Sequence, residues 1–486
     1  MLRATLKGTL YITFSLALVK LLSLVYTSMI ARALGPEGLG ALNLAMLMVP
    51  WFIAGSSFSL QTVATQVIAS FKSRKLDIIP VMRGLFLLTF LSGLGATLLH
   101  FFVSPFVARF FFHDDHLAWP IALASLIILF SVLYNVLLGV ERGLKRFRSY
   151  AFLEFLKQIF LVVATFCFIV YFGYGVKGAL YALIFSPALV IFLYLLRHRR
   201  LFAHGAVNKE GMLSFGFSLT FVGLLLSLFL SLDRFILGFL QSQETVGYYA
   251  ASLTLLNLGF YFVGGIKNTA FPFLSEKFSQ TKNLSDHRVI DYFSKITTYT
   301  LLFIGVIMIG LMMFRHELIF LIFGSDYYLS IDLLMIMIFS LPFLTLYILI
   351  HTLSISIQRI REATLASAIA LIVGVVIFYI FTRTWNVTGT AYALVVSSMI
   401  LSIFYYILTM TSVRIRFAPV FFVVLYVTLF TFALSFVEGS FLFRVFIFLF
   451  AHLVYLLLSL LFRFIEWAEL LFAFSRISAY FRSFIR

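Results

Sequence analysis

Charge is scarce in this chain, and the shortage excludes a soluble fold. Asp, Glu, Lys and Arg make up 11% of the 486 residues, whereas soluble proteins carry about 25%. Acid is the scarcer sign, with 19 Asp and Glu against 36 Lys and Arg. The single cysteine, Cys167, excludes an intrachain disulfide. Nine prolines and no Pro/Ser-rich stretch leave no place for a long disordered linker. There is no Gly-rich phosphate loop, no HExxH and no nucleophile elbow, so the usual signatures of bond-making chemistry are missing.

Apolar runs fill the space that charge leaves. The chain is 62% hydrophobic and 18% aromatic, with a mean hydropathy of +1.08. A spanning helix needs about 20 apolar residues. On that scale fourteen spans are expected, at 9–31, 39–70, 79–104, 117–140, 150–173, 176–196, 212–240, 246–273, 289–314, 329–355, 363–382, 387–410, 418–437 and 441–462. The second and seventh are long enough to include interfacial turns. The first lacks a small-residue cleavage site and reads as a retained helix. The fold class is therefore an all-α polytopic membrane protein.

The basic residues orient it. With the N-terminus in the cytoplasm, 26 of the 36 fall on the cytoplasmic side. Seven fall opposite: Arg32, Arg109, Lys177, Arg234, Arg315, Arg383 and Arg444. The other three, Lys20, Lys157 and Lys267, lie within spans. This asymmetry puts both termini in the cytoplasm of a cell bounded by that membrane. The formal charge of +17 is then met by anionic lipid headgroups, and no nucleic-acid partner is needed.

An internal repeat divides the chain. Val176-Lys-Gly178-Ala-Leu180-Tyr-Ala182-Leu183 pairs with Val387-Thr-Gly389-Thr-Ala391-Tyr-Ala393-Leu394, and Ser186 pairs with Ser397 at the same offset of 211. In each copy the Gly, Ala and Ser recur every four residues on one helix face, the pattern that lets membrane helices approach closely. A second pairing is looser. Arg32-Ala-Leu-Gly35-Pro-Glu37-Gly-Leu-Gly40 is matched by Asp233-Arg234-Phe-Ile-Leu-Gly238 followed by Glu244 and Gly247. Gly35 and Pro36 end a helix there, and Pro36 and Glu37 suit the first turn of the next. Residues 1–205 and 206–411 are thus expected to be two six-helix copies of one orientation, with 412–486 adding two spans and a tail. Such parallel repeats suit a carrier that rocks about a central site.

These motifs resemble the multidrug, oligosaccharidyl-lipid and polysaccharide exporter superfamily. The Arg32–Gly40 turn resembles the first-helix turn of its polysaccharide flippase branch. Tyr174–Ala182 resembles the start of that branch's sixth helix, and the Gly143–Arg148 loop fits a weaker pattern. The resemblance implies a V-shaped, two-lobed transporter that moves lipid-linked sugars outward by alternating access. It implies no enzyme activity and no cofactor. A monomer is expected, working with membrane lipids and with a coupling proton or sodium ion.

Ionisable residues inside spans are the candidate site. An ammonium at the bilayer centre costs about 2.5–3.5 kcal/mol on insertion scales, so it calls for a cavity or a partner. Lys20, mid-way along the first span, is the sharpest case. Lys267 lies nearer the cytoplasmic end of the eighth, and Gln61 is its counterpart in the first repeat. With the resemblance, these three read as the residues that hold an isoprenoid pyrophosphate. Arg32 and Arg234 read either as interfacial arginines or as further substrate contacts. Asp233 reads as a partner of Arg234, or as an ion-coupling acid. Glu154 and Lys157, three apart on one helix, read as an ion pair with gating as the alternative. The cluster His113-Asp114-Asp115-His116 carries metal-ligand types but sits in a short loop with no third element, and reads as a solvated loop rather than a metal site. Beyond the last span, Trp467, Leu470, Leu471, Phe474, Ile477, Phe481 and Phe484 follow helical spacing, which reads as an amphipathic helix on the cytoplasmic leaflet, with a partner-docking surface as the alternative.

Two other functions stay open. A multidrug antiporter of the same fold would favour core acids, for which Glu154 and Asp233 qualify. A membrane-embedded sugar polymerase would need large external loops, and the longest here are about a dozen residues.

The topology is checked by cysteine labelling in intact cells. Asp114→Cys is expected to react with an impermeant reagent added from outside, and Ser149→Cys to be protected. The reverse pattern would overturn the orientation.

Overall fold

The computed structural model describes residues 2–57, 60–74, 77–198, 214–281, 287–357, 359–410, 417–437, 439–462 and 464. Among them every long element is a helix and no strand occurs. This follows from the solvent: in hydrocarbon each backbone N–H and C=O must bond within its own segment. The helices are α1 (Leu2–Met46), α2 (Val49–Ser56), α3 (Leu60–Ser73), α4 (Ile79–Phe106), α5 (Ala118–Gly143), α6 (Phe147–Thr165) and α7 (Gly175–Arg197). They continue as α8 (Ser214–Phe229), α9 (Leu232–Leu240), α10 (Gln243–Thr281), α11 (His287–Met313), α12 (Arg315–Ile322), α13 (Leu329–Met337) and α14 (Leu341–Ser356). The last three are α15 (Ile360–Met410), α16 (Phe417–Ser435) and α17 (Phe441–Leu461).

Nine described helical stretches are long and apolar enough to cross a membrane, and a bent pair makes a tenth. Two of the nine are double spans. α1 breaks at Gly35 (φ 67°, ψ −178°), and α15 at Trp385 and Asn386 (φ 52°). Dividing both and adding α10 and α16 brings the number to the fourteen expected. The tail beyond residue 464, expected to form an amphipathic helix, lies outside the described residues.

Each break has a local cause. Gly35 takes a left-handed φ that a side chain would resist, and Pro36 then starts the next helix with its missing N–H harmless. Asn386 is among the residue types that tolerate positive φ best, and Gln241 Nε2 holds its side-chain oxygen at 3.1 Å. Between α8 and α9 the axis bends by 42°. There Ser231 Oγ bonds back to the Ser227 carbonyl at 2.7 Å while accepting from Trp51 Nε1, and serine back-bonding of this kind bends helices. α4 and α6 each end in a π-helical turn, at Val107–Phe111 and Phe166–Tyr171.

The chain forms two compact units. The first comprises Met1–Thr254, Ile319–Leu333 and Ile360–Ser397. In it α4 packs along α5, α1 along α6, and α3 and α7 against α5. Its interior includes the cluster of Tyr134, Leu137, Leu138, Tyr150, Val190 and Tyr194. The second unit comprises Leu255–Leu318, Leu334–Arg359 and Ser398–Arg486. In it α11 carries α14, α16 and α17. Gly305 makes room for the Tyr455 ring, whose hydroxyl donates to the Leu302 carbonyl at 3.1 Å. The Tyr426 ring stacks on Tyr455 at 5.0 Å, joining α16 to α17.

The small-residue faces of the repeat are packed. A methyl group at Gly178 would come within 2.8 Å of the Phe168 carbonyl oxygen, and one at Gly389 would overlap that of Phe381. Ala182, Ser186, Ala393 and Ser397 are all buried. Gly178→Leu or Gly389→Leu is therefore expected to lower the yield of folded protein sharply. Leu180→Ile, at a fully buried position, changes shape without volume and should cost less than about 1.5 kcal/mol. Size-exclusion profiles of the three variants at matched expression check this, and equal behaviour would remove the packed face.

Candidate functional site

The ionisable residues singled out in the sequence fall at three places. Lys20 and Gln61 are half-buried on α1 and α3 in the first unit. α3 runs close to α5 at that level: Gly139 leaves room for the Gln61 carbonyl, and Thr65 Oγ1 donates to the Gly139 carbonyl at 3.1 Å. Lys267 lies in α10, within the second unit, and its side chain is outside the described residues.

The second place is the Gly35 end of the first unit. Arg32 is exposed, and its Nη2 donates to the carbonyls of Leu321 at 2.6 Å and Phe320 at 3.3 Å. It thus caps the last turn of α12, where free carbonyls favour a cation. Just beyond that turn, the Tyr327 hydroxyl donates to the Ala31 carbonyl at 3.1 Å. Burial holds that hydroxyl above the ordinary tyrosine value, so it stays protonated and able to donate. Asp233 is 2% exposed. Its Oδ1 accepts from the Arg234 N–H at 2.8 Å, and its Oδ2 accepts from the Tyr249 hydroxyl at 2.9 Å. The Arg234 guanidinium lies 3.6 Å from the same carboxylate. The carboxylate sits in the first turn of α9, where the helix dipole favours it.

The loop of His113 to His116 is here too. Asp115 and His116 are exposed as expected of a solvated loop, and Arg109 pairs with Asp115. Asp114 differs. Its Oδ1 accepts from the His116 N–H at 2.8 Å, and its Oδ2 accepts from Gln243 Nε2 at the start of α10. Among the described residues no three His, Cys, Asp or Glu side chains gather to hold a metal ion.

The third place is the α5–α6–α7 core. Lys157 Nζ lies 3.8 Å from Glu154 Oε2 and 4.5 Å from the centre of the Tyr134 ring, a cation–π contact strengthened by burial.

A family model of polysaccharide biosynthesis proteins matches residues 5–278, more than half of the chain. The chain belongs to that family. No curated protein matches it. Among solved structures, this polysaccharide biosynthesis protein is similar to the lipid II flippase MurJ in an inward closed conformation. The TM-score is 0.71 and the identity 16%, over 93% of this chain and 98% of that one. It is similar to an inward-facing multidrug resistance MATE family transporter of the MOP superfamily. There the TM-score is 0.66 and the identity 17%, over 81% of this chain and 94% of that one. A MOP superfamily transporter from Pyrococcus furiosus matches at a TM-score of 0.62 and 16% identity, over 84% and 95% of the two chains. The family member therefore has the fold shared by these transporters and the flippase.

Reading the sequence alone overlooked Glu141. It ends α5 beside Arg142, which reads as one more cytoplasmic loop cation. In the structure Glu141 is 1% exposed. Its Oε1 accepts from the Tyr194 hydroxyl at 2.8 Å, and its Oε2 is buried with no hydrogen-bond partner. Arg142 turns instead to Tyr150, bonding its hydroxyl at 2.6 Å. The signal in the sequence was an acid in a chain with only 19 of them; its partner lies 53 residues away and no spacing rule reaches it.

Tyr194→Phe would strip Glu141 of its donor, which is expected to cost about 1–3 kcal/mol. Replacing both groups, as Glu141→Leu with Tyr194→Phe, removes the buried acid and should cost less than the single change. Thermal inactivation of the purified variants orders them, and a single change as mild as the double one would show that the pair contributes nothing.

Proposed function

We propose that this protein carries a lipid-linked oligosaccharide, of the isoprenoid-pyrophosphate class, across the cytoplasmic membrane by alternating access, for cell-surface polysaccharide synthesis. Both termini face the cytoplasm, and the two six-helix repeats at 1–205 and 206–411 supply the two sides of the transporter. The observation that carries this reading is a conjunction. A polysaccharide biosynthesis family model covers residues 5–278, and the fold over 93% of the chain is one a lipid II flippase uses. A family concerned with polysaccharide and a fold that moves a sugar lipid meet in one substrate class.

Lys20 is the residue proposed to meet the anionic headgroup. It is half-buried on the first span, and an ammonium at that depth is favoured by a pyrophosphate that brings compensating charge. Lys267 and Gln61 are the further polar candidates, and Arg32 and Arg234 would act at the outer end. A proton or sodium ion is the proposed coupling partner, with Asp233, Glu154 and Lys157 as the candidate acids and gate. The working unit is a monomer.

A multidrug antiporter is the second reading, supported by the MATE-type fold and by the buried Asp233. The two differ in the charge of the cargo. A flippase for a pyrophosphate depends on a core cation, whereas an exporter of cationic drugs depends on a core acid.

Lys20→Gln is expected to abolish appearance of the sugar lipid on the outer leaflet at normal membrane levels. Lys20→Arg should retain part of the transport, because it keeps the charge with altered geometry. Normal transport by Lys20→Gln would sink the cationic site. Drug efflux lost with Asp233→Asn, and unaffected by Lys20→Gln, would favour the antiporter.

A further inference from the structure

At the Gly35 end of the first unit the two sequence copies of the turn touch each other backbone to backbone. Gly40, four residues after Pro36, faces the Gln243 carbonyl, and a methyl group there would overlap that oxygen. Gly247, four residues after Gln243, faces the Pro36 carbonyl in the same way. The contact is reciprocal: exchanging Pro36 and Gly40 with Gln243 and Gly247 reproduces it, as in an isologous interface. The spacing of 207 residues is the same for both pairs.

Other bonds surround this crossing, each joining a residue of 1–205 to one of 206–411. Asp114 accepts from Gln243, Trp51 donates to Ser231, Arg32 donates to Leu321 and Phe320, and Tyr327 donates to Ala31. Leu44, 2% exposed, fills the space that Gly238 leaves. The crossing glycines contribute no side chain to pull apart. A Cα–H···O contact is weak beside an N–H···O bond. The two carbonyls sit inside helical turns, where the helix's own N–H four residues on can bond them. The contact is therefore tight when closed, yet separating it strands no buried polar group.

We propose that the Gly40–Gly247 crossing is the latch that keeps the Gly35 face of the transporter shut, and that it parts when this face opens. The proposal rests on the alternating-access reading above. It assigns Gly40 and Gly247 a role that no larger residue can fill: a side chain at either position props the two helices apart.

The test uses the full chain with Cys167→Ser. First, Leu44→Cys reports the state of the face through its reaction with a membrane-impermeant maleimide added from outside, with no substrate required. Adding Gly40→Ala, or separately Gly247→Ala, is expected to raise the labelling rate about tenfold as the open population grows. Unchanged protection with normal protein levels would overturn the latch. Second, Asp114→Cys with Gln243→Cys leaves both glycines in place and avoids any folding defect they cause. Oxidation to the disulfide is expected to stop outward movement of the sugar lipid, and reduction to restore it. Full transport by the cross-linked protein would also overturn the latch. If the reduced double variant and the parent move no sugar lipid at all, the substrate reading fails, and the labelling arm still decides the latch.

Discussion

A backbone in hydrocarbon has no water to bond, and every other feature of this protein is arranged around that constraint. Helix is the only open-chain solution, so the described part of this charge-poor chain is a series of helices. Among the described residues, the breaks inside the long helices fall where a side chain or a special residue compensates for them. Gly35 and Asn386 supply the positive φ that two tight reversals need. At Ser231 a hydroxyl shared between Ser227 and Trp51 covers the bend between α8 and α9.

The same constraint governs polar side chains. A buried carboxylate costs several kcal/mol unless donors reach it. Asp233 meets this locally, through the Arg234 backbone and guanidinium and the Tyr249 hydroxyl. The half-buried Glu317 is held by Arg444, which grips it with both terminal nitrogens while also bonding the Met313 carbonyl, and so ties α17 to α12 within the second unit. Tyrosine recurs as the neutral donor in these places. Its hydroxyl satisfies an acceptor without bringing a second charge into the membrane, as at Asp233, Glu141 and the Ala31 carbonyl.

Close packing without side chains is the third consequence. Lipid tails are as apolar as leucine, so burying leucine against leucine gives helices little reason to associate. Glycine does better, by letting carbonyls and Cα atoms meet. Gly139 on Gln61, Gly178 on Phe168, Gly389 on Phe381 and the Gly40–Gly247 crossing are four instances in the first unit. The tightest of them is the Gly40–Gly247 crossing.

Much of this was determined by the sequence by itself, for a physical reason: span length, helix breaks and charge asymmetry are local or statistical properties. Twenty apolar residues in a helix are long enough to cross a membrane whatever surrounds them. Gly-Pro must break a helix. The turn at Gly35–Pro36, the fourteen spans and the packed faces at Gly178 and Gly389 were legible in that sense. What only the tertiary structure decided are the contacts between residues far apart in the chain. Arg32 finds two carbonyls almost three hundred residues away. Glu141 finds Tyr194 while its neighbour Arg142 turns to Tyr150. Gly40 finds the helix that bears Gly247. Partner choice of this kind depends on how helices cross and rotate. That is set by the sum of many weak packing contacts and leaves no periodic trace in the residues themselves.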